Sequence, residues 1–310
     1  MPKVLLLLLT VAVASCAVHS RSAEPPAADA LFARKNLIAW CIVPFDAKQR
    51  GPAERAKMLK QLGFTKFAYD WRPEHLPTFD AEIEALQQEG IELTAWWFPP
   101  ALNDDARAIL TALKRHNVKT QLWIAIDDDP APQSSDPQAK VAAAVKVLEP
   151  IAEAAAAQGC TIGLYNHGGW FGEPENQLAI IAAIDRRNVG IVYNLHHTHD
   201  HVDRFAKLLP KLLPHLYAIN LNGTDRDGDK LGRKILPLGQ GELDLELLRT
   251  IANSGYRGPL GILGHTQDDA KARLKDNLDG LDWLVNQLDG KPPSQRPTPR
   301  TAVPIATDPR

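Results

Sequence analysis

Eight short apolar segments alternate with longer amphipathic segments along this chain, and the alternation limits the folds open to it. Most of the short segments are almost continuously apolar, as at residues 37–43 and 121–126, which is typical of parallel strands covered on both faces. The longer segments carry apolar residues at helical spacing, for example Val141, Val145 and Leu148. Eight strand-then-helix units in about 270 residues predict a single-domain α/β fold, the (β/α)8 or TIM barrel.

The residues between these segments also agree with this fold. A doubly wound open sheet is the alternative, but it usually carries a glycine-rich phosphate turn after an early strand, and the sequence shows none. Glycines that suit helix C-termini are Gly63, Gly90, Gly159 and Gly255, and residues that suit helix starts are Pro52, Asp104 and Pro137.

The two ends of the chain have a different composition. Residues 1–22 combine Lys3, an apolar run at 4–13 and small residues, as in a secretory signal peptide, and the run is too short for a membrane span. Cys16 follows a lipobox-like sequence, so the alternatives are a lipid-anchored protein and a freely exported one, periplasmic or extracellular. We predict a linker at 23–34, the barrel at 35–290, and a disordered proline-rich tail at 291–310.

Net charge argues against a nucleic-acid partner. The chain has 35 Lys and Arg against 37 Asp and Glu, a formal charge of −2, whereas nucleic-acid binding needs a basic excess or a basic face. The only membrane contact that the sequence predicts is the lipid anchor on Cys16.

Chemistry in such barrels lies at the C-terminal ends of the strands, where the following loops meet. Five of the ten histidines lie between residues 167 and 201, and histidine can donate, accept or ligate near neutral pH. Tryptophans beside polar groups at the same end suit a sugar ring, which has apolar faces and hydroxyl edges. We therefore predict a small-molecule carbohydrate ligand.

The order of motifs resembles the xylose-isomerase-like barrel superfamily, which includes sugar isomerases and epimerases. The resemblance is carried by residues 69–99, by LYNHGGW at 164–170, and by GQGELDLELLRTIANSGYRGPLGI at 239–262. It implies a divalent metal held by a Glu that ends strand 5, an Asp and a nearby His after strand 6, a His or Asp at strand 7 and a Glu at strand 8. Those positions here read Tyr165, Asn194 with His197, Asn220 and Leu263. Because a hard cation needs charged oxygen ligands, the family's metal is predicted to be absent, and no other cofactor is implied.

A softer metal site is the alternative to a metal-free pocket. It would use four side chains from the loops after strands 5 and 6, which offer the nitrogen and oxygen ligands that zinc accepts. These are His167, Glu173, His197 and His199.

The resemblance implies proton transfer beside a carbonyl, so we predict an exported isomerase- or epimerase-like enzyme acting on a free sugar or keto-sugar. His197 or Glu173 is the predicted base, and His167 the group that protonates or polarises the oxygen. The alternatives are a carbohydrate-binding barrel without catalysis, a glycoside hydrolase whose carboxylate pair would come from Asp70, Asp127 and Glu173, and a lyase. Predicted substrate-binding residues are Asp70, Trp71, Arg72, Trp97, Asn166, Trp170, Asn194, His199, Asn220, Asn222 and His265.

Overall fold

The computed structural model of the chain describes residues 28–292 and 294–305. Eight parallel strands close into a barrel in sequence order, and β8 returns to β1 with Leu260 opposite Leu37. The predicted fold class is confirmed. The strands are β1 (Leu37–Trp40), β2 (Lys66–Tyr69), β3 (Glu92–Trp97), β4 (Gln121–Ile124), β5 (Thr161–Tyr165), β6 (Val189–Asn194), β7 (Leu216–Leu221) and β8 (Leu260–Leu263).

Helices lie outside the barrel and begin and end at the residues that the sequence favours. Pro52 and Pro137 occupy first-turn positions, where the missing N–H costs nothing, and Gly90 ends its helix with a left-handed φ of 68°. The helices are α1 (Ala28–Leu31), α2 (Pro52–Gln61), α3 (Phe79–Glu89), α4 (Asp104–Arg115), α5 (Pro137–Ala156), α6 (Gly169–Gly172), α7 (Pro174–Ile184), α8 (Phe205–Leu212), α9 (Asp244–Asn253) and α10 (Ala270–Leu288).

The barrel interior is a separate apolar cluster made of strand residues and their immediate neighbours. Trp40 and Trp123 pack edge to face there with ring centroids 4.8 Å apart. Large rings fit because small residues face them, such as Ala68 and Ala95, and a Cβ on Gly163 would contact the Trp123 ring. The interior is therefore filled with side chains, and a ligand has room only at an end of the barrel.

The N-terminal boundary differs from the predicted one. Leu31 and Phe32 fall in the predicted linker at 23–34, yet both are buried against the barrel core, because two large apolar side chains gain by burial. The export signal predicted at 1–22, with Cys16, lies outside the described residues. In the two described ranges, no helix is long and apolar enough to cross a membrane.

Residues 294–305 of the tail lie against the barrel and are held there by hydrogen bonds, which corrects the prediction of disorder for this part of 291–310. Asp276 of α10 is fully buried and accepts hydrogen bonds from the backbone N–H of Arg300 at 2.9 Å and of Thr301 at 2.8 Å. Trp283 donates to the carbonyl of Ser294, and Arg233 donates to that of Pro304. The segment is held by hydrogen bonds to its backbone, which a low apolar content does not preclude.

Candidate active site

A cavity of about 170 Å³ opens at the C-terminal ends of the strands. Its walls come from strands β1, β2, β3, β5, β6 and β8 and from the loops after them, so the predicted shared mouth is present. The lining residues are Trp40, Cys41, Phe45, Asp70, Arg72, Trp97, Tyr165, His167, His196, His197 and His265.

Aromatic rings from the ends of three strands form the floor. The Trp40 indole Nε1 donates to the Tyr165 hydroxyl at 3.1 Å, and the Trp97 ring meets Tyr165 edge to face at 5.0 Å between centroids. This floor is rigid because its polar atoms are paired and its rings are packed. It presents an apolar surface of the kind that the C–H face of a sugar covers.

Asp70 is the one carboxyl group that lines the cavity in the part of the chain that the structure describes. Its Oδ1 accepts from the Val43 backbone N–H at 3.1 Å, while its buried Oδ2 has no hydrogen-bond partner among the described residues. Burial raises the pKa of this carboxyl to about 7, although that N–H and the nearby Arg72 charge favour the ionised form. Asp70 can therefore hold or release a proton near neutral pH.

Cys41 lies beside Asp70 in the cavity wall. Its backbone is left-handed, with a φ of 57°, which places the thiol at the end of β1 facing the cavity. Burial, and secondarily the Asp70 carboxylate, raises the pKa of the thiol well above its usual value. The thiol is therefore protonated and a poor nucleophile at neutral pH.

His167 is held by a carboxylate from the neighbouring loop. Its Nδ1 lies 2.7 Å from Oδ1 of Asp127, and an ionised carboxylate can only accept, so Nδ1 carries the proton. The other ring nitrogen, Nε2, is then an acceptor. An imidazole oriented by a carboxylate in this way suits the role of general base.

Three further imidazoles line the cavity and are neutral. Burial lowers the pKa of His197 to about 2 and that of His265 to about 4, and it lowers the pKa of His196 well below its usual value. The rings are packed: His197 lies 4.4 Å from the His167 ring, and His265 lies 3.9 Å from the Phe45 ring. A base as weak as His197 is poorly matched to proton abstraction at neutral pH.

The structure places Glu173 outside the cavity. The chain turns at Gly168 and Gly169, both with positive φ, and this turn carries Glu173 to the start of α7. There its carboxylate oxygens lie 3.2 Å from His201 Nε2 and 2.8 Å from Arg204 Nη2. The predicted role of Glu173 as the base therefore lacks its geometry, because the carboxylate does not reach the cavity.

The four side chains of the predicted softer metal site do not converge. His199 uses both ring nitrogens on the carbonyls of Asp225 and Lys234, at 3.0 and 3.1 Å, and Glu173 lies with Arg204. Only His167 and His197 of that set share the cavity. A different group of three side chains brings its ligand atoms within 4.8 Å of one another: Glu173, Asp200 and His201. The carboxylate of Glu173 in this group already forms an ion pair with Arg204.

Of the predicted substrate-binding residues, Asp70, Arg72, Trp97 and His265 line the cavity, and the others do not. Trp71 is buried and donates its indole N–H to the Trp97 carbonyl at 2.7 Å. Trp170 packs against the outer core, and Asn222 donates to the carbonyls of Gly223 and Lys234. These side chains support the rim without facing a ligand.

A chain of neutral amides includes two of the positions where the resemblance implies metal ligands, Asn194 and Asn220. Asn194 Nδ2 donates to Asn166 Oδ1 at 2.7 Å, and Asn220 Nδ2 donates to Asn194 Oδ1 at 2.5 Å. All three side chains are fully buried. With Tyr165 and Leu263 at the remaining positions, these donors carry no negative charge and do not fit a hard divalent cation.

Sequence reasoning missed five lining residues: Trp40, Cys41, Phe45, Tyr165 and His196. Trp40 and Tyr165 are the last residues of their strands, so the strand ends carry a signal as well as the loops that follow them. It also missed Asp127 as the partner of His167. That signal was weak because Asp127 stands in a run of three aspartates.

The protein is therefore a TIM barrel with a polar and aromatic pocket at the C-terminal ends of its strands. Residues 57–287 match the xylose isomerase-like TIM barrel family, and the chain belongs to that family. No functionally curated protein matches the chain.

Solved structures with the same fold include sugar-modifying enzymes. A 3-keto-D-glucoside 4-epimerase from E. coli is 16% identical, with a TM-score of 0.58 over 81% of this chain and 98% of that one. A D-tagatose 3-epimerase-like protein is 16% identical, with a TM-score of 0.60 over 82% of this chain and 99% of that one. The probable 3-DHS dehydratase from Bacillus anthracis is 17% identical, with a TM-score of 0.58 over 80% of this chain and 98% of that one. At these identities the likeness establishes the fold.

Proposed function

We propose that this protein is an isomerase- or epimerase-like enzyme that moves a proton at the carbon next to a carbonyl of a small carbohydrate. We further propose that it works outside the cytoplasm, as its N-terminal sequence predicts. The observation that carries the proposal is the pairing in one cavity of an oriented imidazole, His167, with a buried carboxyl, Asp70, whose pKa is about 7. Family membership and the epimerases among the structural neighbours support it.

The two groups divide the reaction between them. His167 Nε2 takes the proton from the carbon, because Asp127 holds the opposite nitrogen protonated and stabilises the positive ring that results. The protonated Asp70 donates to the carbonyl oxygen, so the charge that would develop there is neutralised as an enediol. His167 then returns the proton to the former carbonyl carbon. Asp70 takes a proton from the hydroxyl on the carbon that was first deprotonated, which becomes the new carbonyl and completes an isomerisation.

Hydrogen–deuterium exchange tests this function. Aldoses, ketoses and keto-sugars are incubated in D2O with protein dialysed against EDTA, and exchange beside the carbonyl is followed by proton NMR. We expect exchange with the true substrate that His167→Ala abolishes, whereas Asp128→Asn, an exposed change in the neighbouring loop, leaves it intact. Exchange that persists in His167→Ala would refute the assignment of the base.

A carbohydrate-binding barrel without catalysis is the second candidate. The observation that favours it is the neutral amide chain at two of the positions of the family's metal ligands. Calorimetry on the same sugars distinguishes the two functions, since a binder gives heat of binding with no exchange in D2O.

A further inference from the structure

Arg72 brings a fixed positive charge to the cavity wall. Its Nη1 donates to the backbone carbonyls of Asp70 and Trp71 at 3.0 and 2.8 Å, and its guanidinium carbon lies 5.7 Å from the Phe45 ring centroid. The head group is therefore held on one edge by two carbonyls and on one face by an aromatic ring. Such a guanidinium is oriented before a ligand arrives.

The remaining donors of Arg72 have no protein acceptor. Within residues 28–292 and 294–305, its Nε and Nη2 make no hydrogen bond, and no carboxylate forms an ion pair with it. Asp70, the adjacent acid, directs one oxygen to the Val43 N–H instead. Arg72 thus offers the cavity an unused pair of N–H donors, and such a pair matches the two oxygens of a carboxylate.

A second positive charge lies at the rim. Lys234, in the loop after β7, is exposed, and its backbone is fixed because its carbonyl accepts from His199 and Asn222. Its ammonium forms no ion pair with any described carboxylate. Ile235, the next residue, packs against the barrel-interior cluster, as do Phe45 and Trp97 of the cavity wall, so this loop lies close to the cavity. The Lys234 charge adds to the burial that lowers the pKa of His265.

Among the residues that line the cavity, Arg72 carries the one fixed charge. His196, His197 and His265 are neutral, and Asp70 is neutral when it is protonated. The carboxylate of Asp127 is paired with Nδ1 of His167. At about 170 Å³ the cavity is smaller than the roughly 300–1,000 Å³ pockets that hold drug-sized ligands, which suits a ligand the size of a monosaccharide. The fixed charge of Arg72 in its wall favours an anionic one.

Resting on the proposed function, we propose that the substrate is a sugar acid, a monosaccharide-sized carbohydrate whose carboxylate is bound by the free N–H edge of Arg72 under the field of Lys234. A phosphate ester is the other anionic carbohydrate. It carries nearly two charges and three acceptor oxygens, whereas the cavity wall offers one guanidinium. The planar carboxylate is the better match to that single edge.

Calorimetry with three probes tests the substrate class separately from catalysis. D-glucuronate, D-glucose and D-glucose 6-phosphate are titrated into the full protein, and glucuronate is expected to bind about tenfold or more tighter than glucose, as for a charged hydrogen bond. Equal binding of glucuronate and glucose would overturn the inference, and so would tighter binding of the phosphate ester. Glucuronate binding without exchange in D2O would refute the proposed function and leave the sugar-acid assignment standing.

Variants locate the carboxylate. Arg72→Met is expected to remove the preference for glucuronate while glucose binding is kept, and Arg107→Met, on the exposed face of α4, is the matched control. Lys234→Met changes an exposed residue and should keep the fold while weakening glucuronate binding by about two- to fivefold at low salt, with a smaller salt dependence. An unchanged preference for glucuronate in Arg72→Met would overturn the assignment of the anion site, whatever the result with Lys234→Met.

Discussion

His167 and Asp127 form a hydrogen-bonded pair that joins the loops after β5 and β4, with 2.7 Å between Nδ1 and Oδ1. The pair fixes both the orientation and the tautomer of the ring. An amide at position 127 could turn its NH2 toward Nδ1 and reverse the tautomer, so that Nε2 would carry the proton and lose its basicity.

Asp127→Asn should therefore lower the rate of carbon–hydrogen exchange by roughly a hundredfold, within the range that a positioned base contributes. The folded state should be unaffected, since Asp127 is exposed. NMR exchange rates in D2O give the measurement, and Asp128→Asn provides a control of the same chemistry one residue away. A rate equal to that of the unmodified protein would show that the ring works without its carboxylate partner.

The rate of exchange should fall as the pH rises through about 7. Asp70 acts in its protonated form, and burial raises the pKa of this carboxyl to about 7, so the acid is lost above that value. Asp70→Asn should be slow at all pH values and should not show the fall. A pH–rate profile for both proteins, measured on the same substrate, gives the comparison; a rate that rises through pH 7 would assign Asp70 as a base.

The free energy of unfolding should also depend on the titration of Asp70. The folded protein binds the Asp70 proton more tightly than the unfolded chain, whose carboxyl keeps a pKa near 3.8, so raising the pH through this interval favours unfolding. The free energy of unfolding should fall by about 1.4 kcal/mol per pH unit relative to Asp70→Asn. Urea unfolding of both proteins at several pH values measures the difference, which removes the contributions of the histidines; parallel curves would contradict the raised pKa.

Gly261→Ala should destabilise the protein by about 1–3 kcal/mol, as overpacked cores do. A Cβ at this position would collide with Asn220 Oδ1, and Asn220 cannot retreat without breaking its bond to Asn194. Gly51→Ala, just before α2, is the control, because a Cβ there would meet no atom within 4 Å and the φ of Gly51 is −70°. The denaturation midpoints of both variants measure the loss of stability. A midpoint of Gly261→Ala equal to that of Gly51→Ala would show that the amide chain tolerates displacement.

Asp276→Ala should release the tail and cost about 1.5–3 kcal/mol, since it removes hydrogen bonds to a buried charge. Trypsin should then cleave readily after Arg300. Asp282→Ala on the same helix removes only a surface pair with Arg34, and such pairs contribute about 0–1 kcal/mol. Equal resistance to trypsin in Asp276→Ala and the unmodified chain would show that the tail is held by other contacts.

The strands and the helix ends could be predicted because their signals are local. The left-handed backbone after α3 favours glycine, which is Gly90. The first turn of α2 suits Pro52, because an N–H there would have no acceptor within the helix. Neither signal depends on the rest of the chain. The position of the mouth followed from topology, since parallel strands bring their ends together. Asp70, Arg72 and His167 were therefore placed at the right end of the barrel from the sequence.

The direction of a side chain within a loop could not be predicted, because it depends on contacts between loops. Glu173 and His167 follow the same strand, yet the turn at Gly168 and Gly169 separates them. The tail is a similar case. Its proline-rich sequence has little to bury, and its order depends on Asp276, a carboxylate that the sequence does not distinguish from other acids of α10.

The Trp40–Tyr165 floor has a consequence for how this pocket can change during evolution or engineering. Because both rings belong to the packed barrel interior, the pocket cannot be deepened without unpacking the protein. New substrate preferences must therefore arise by exchange of side chains around the opening, at Phe45, Arg72 and His265, while the aromatic floor of the pocket stays unchanged.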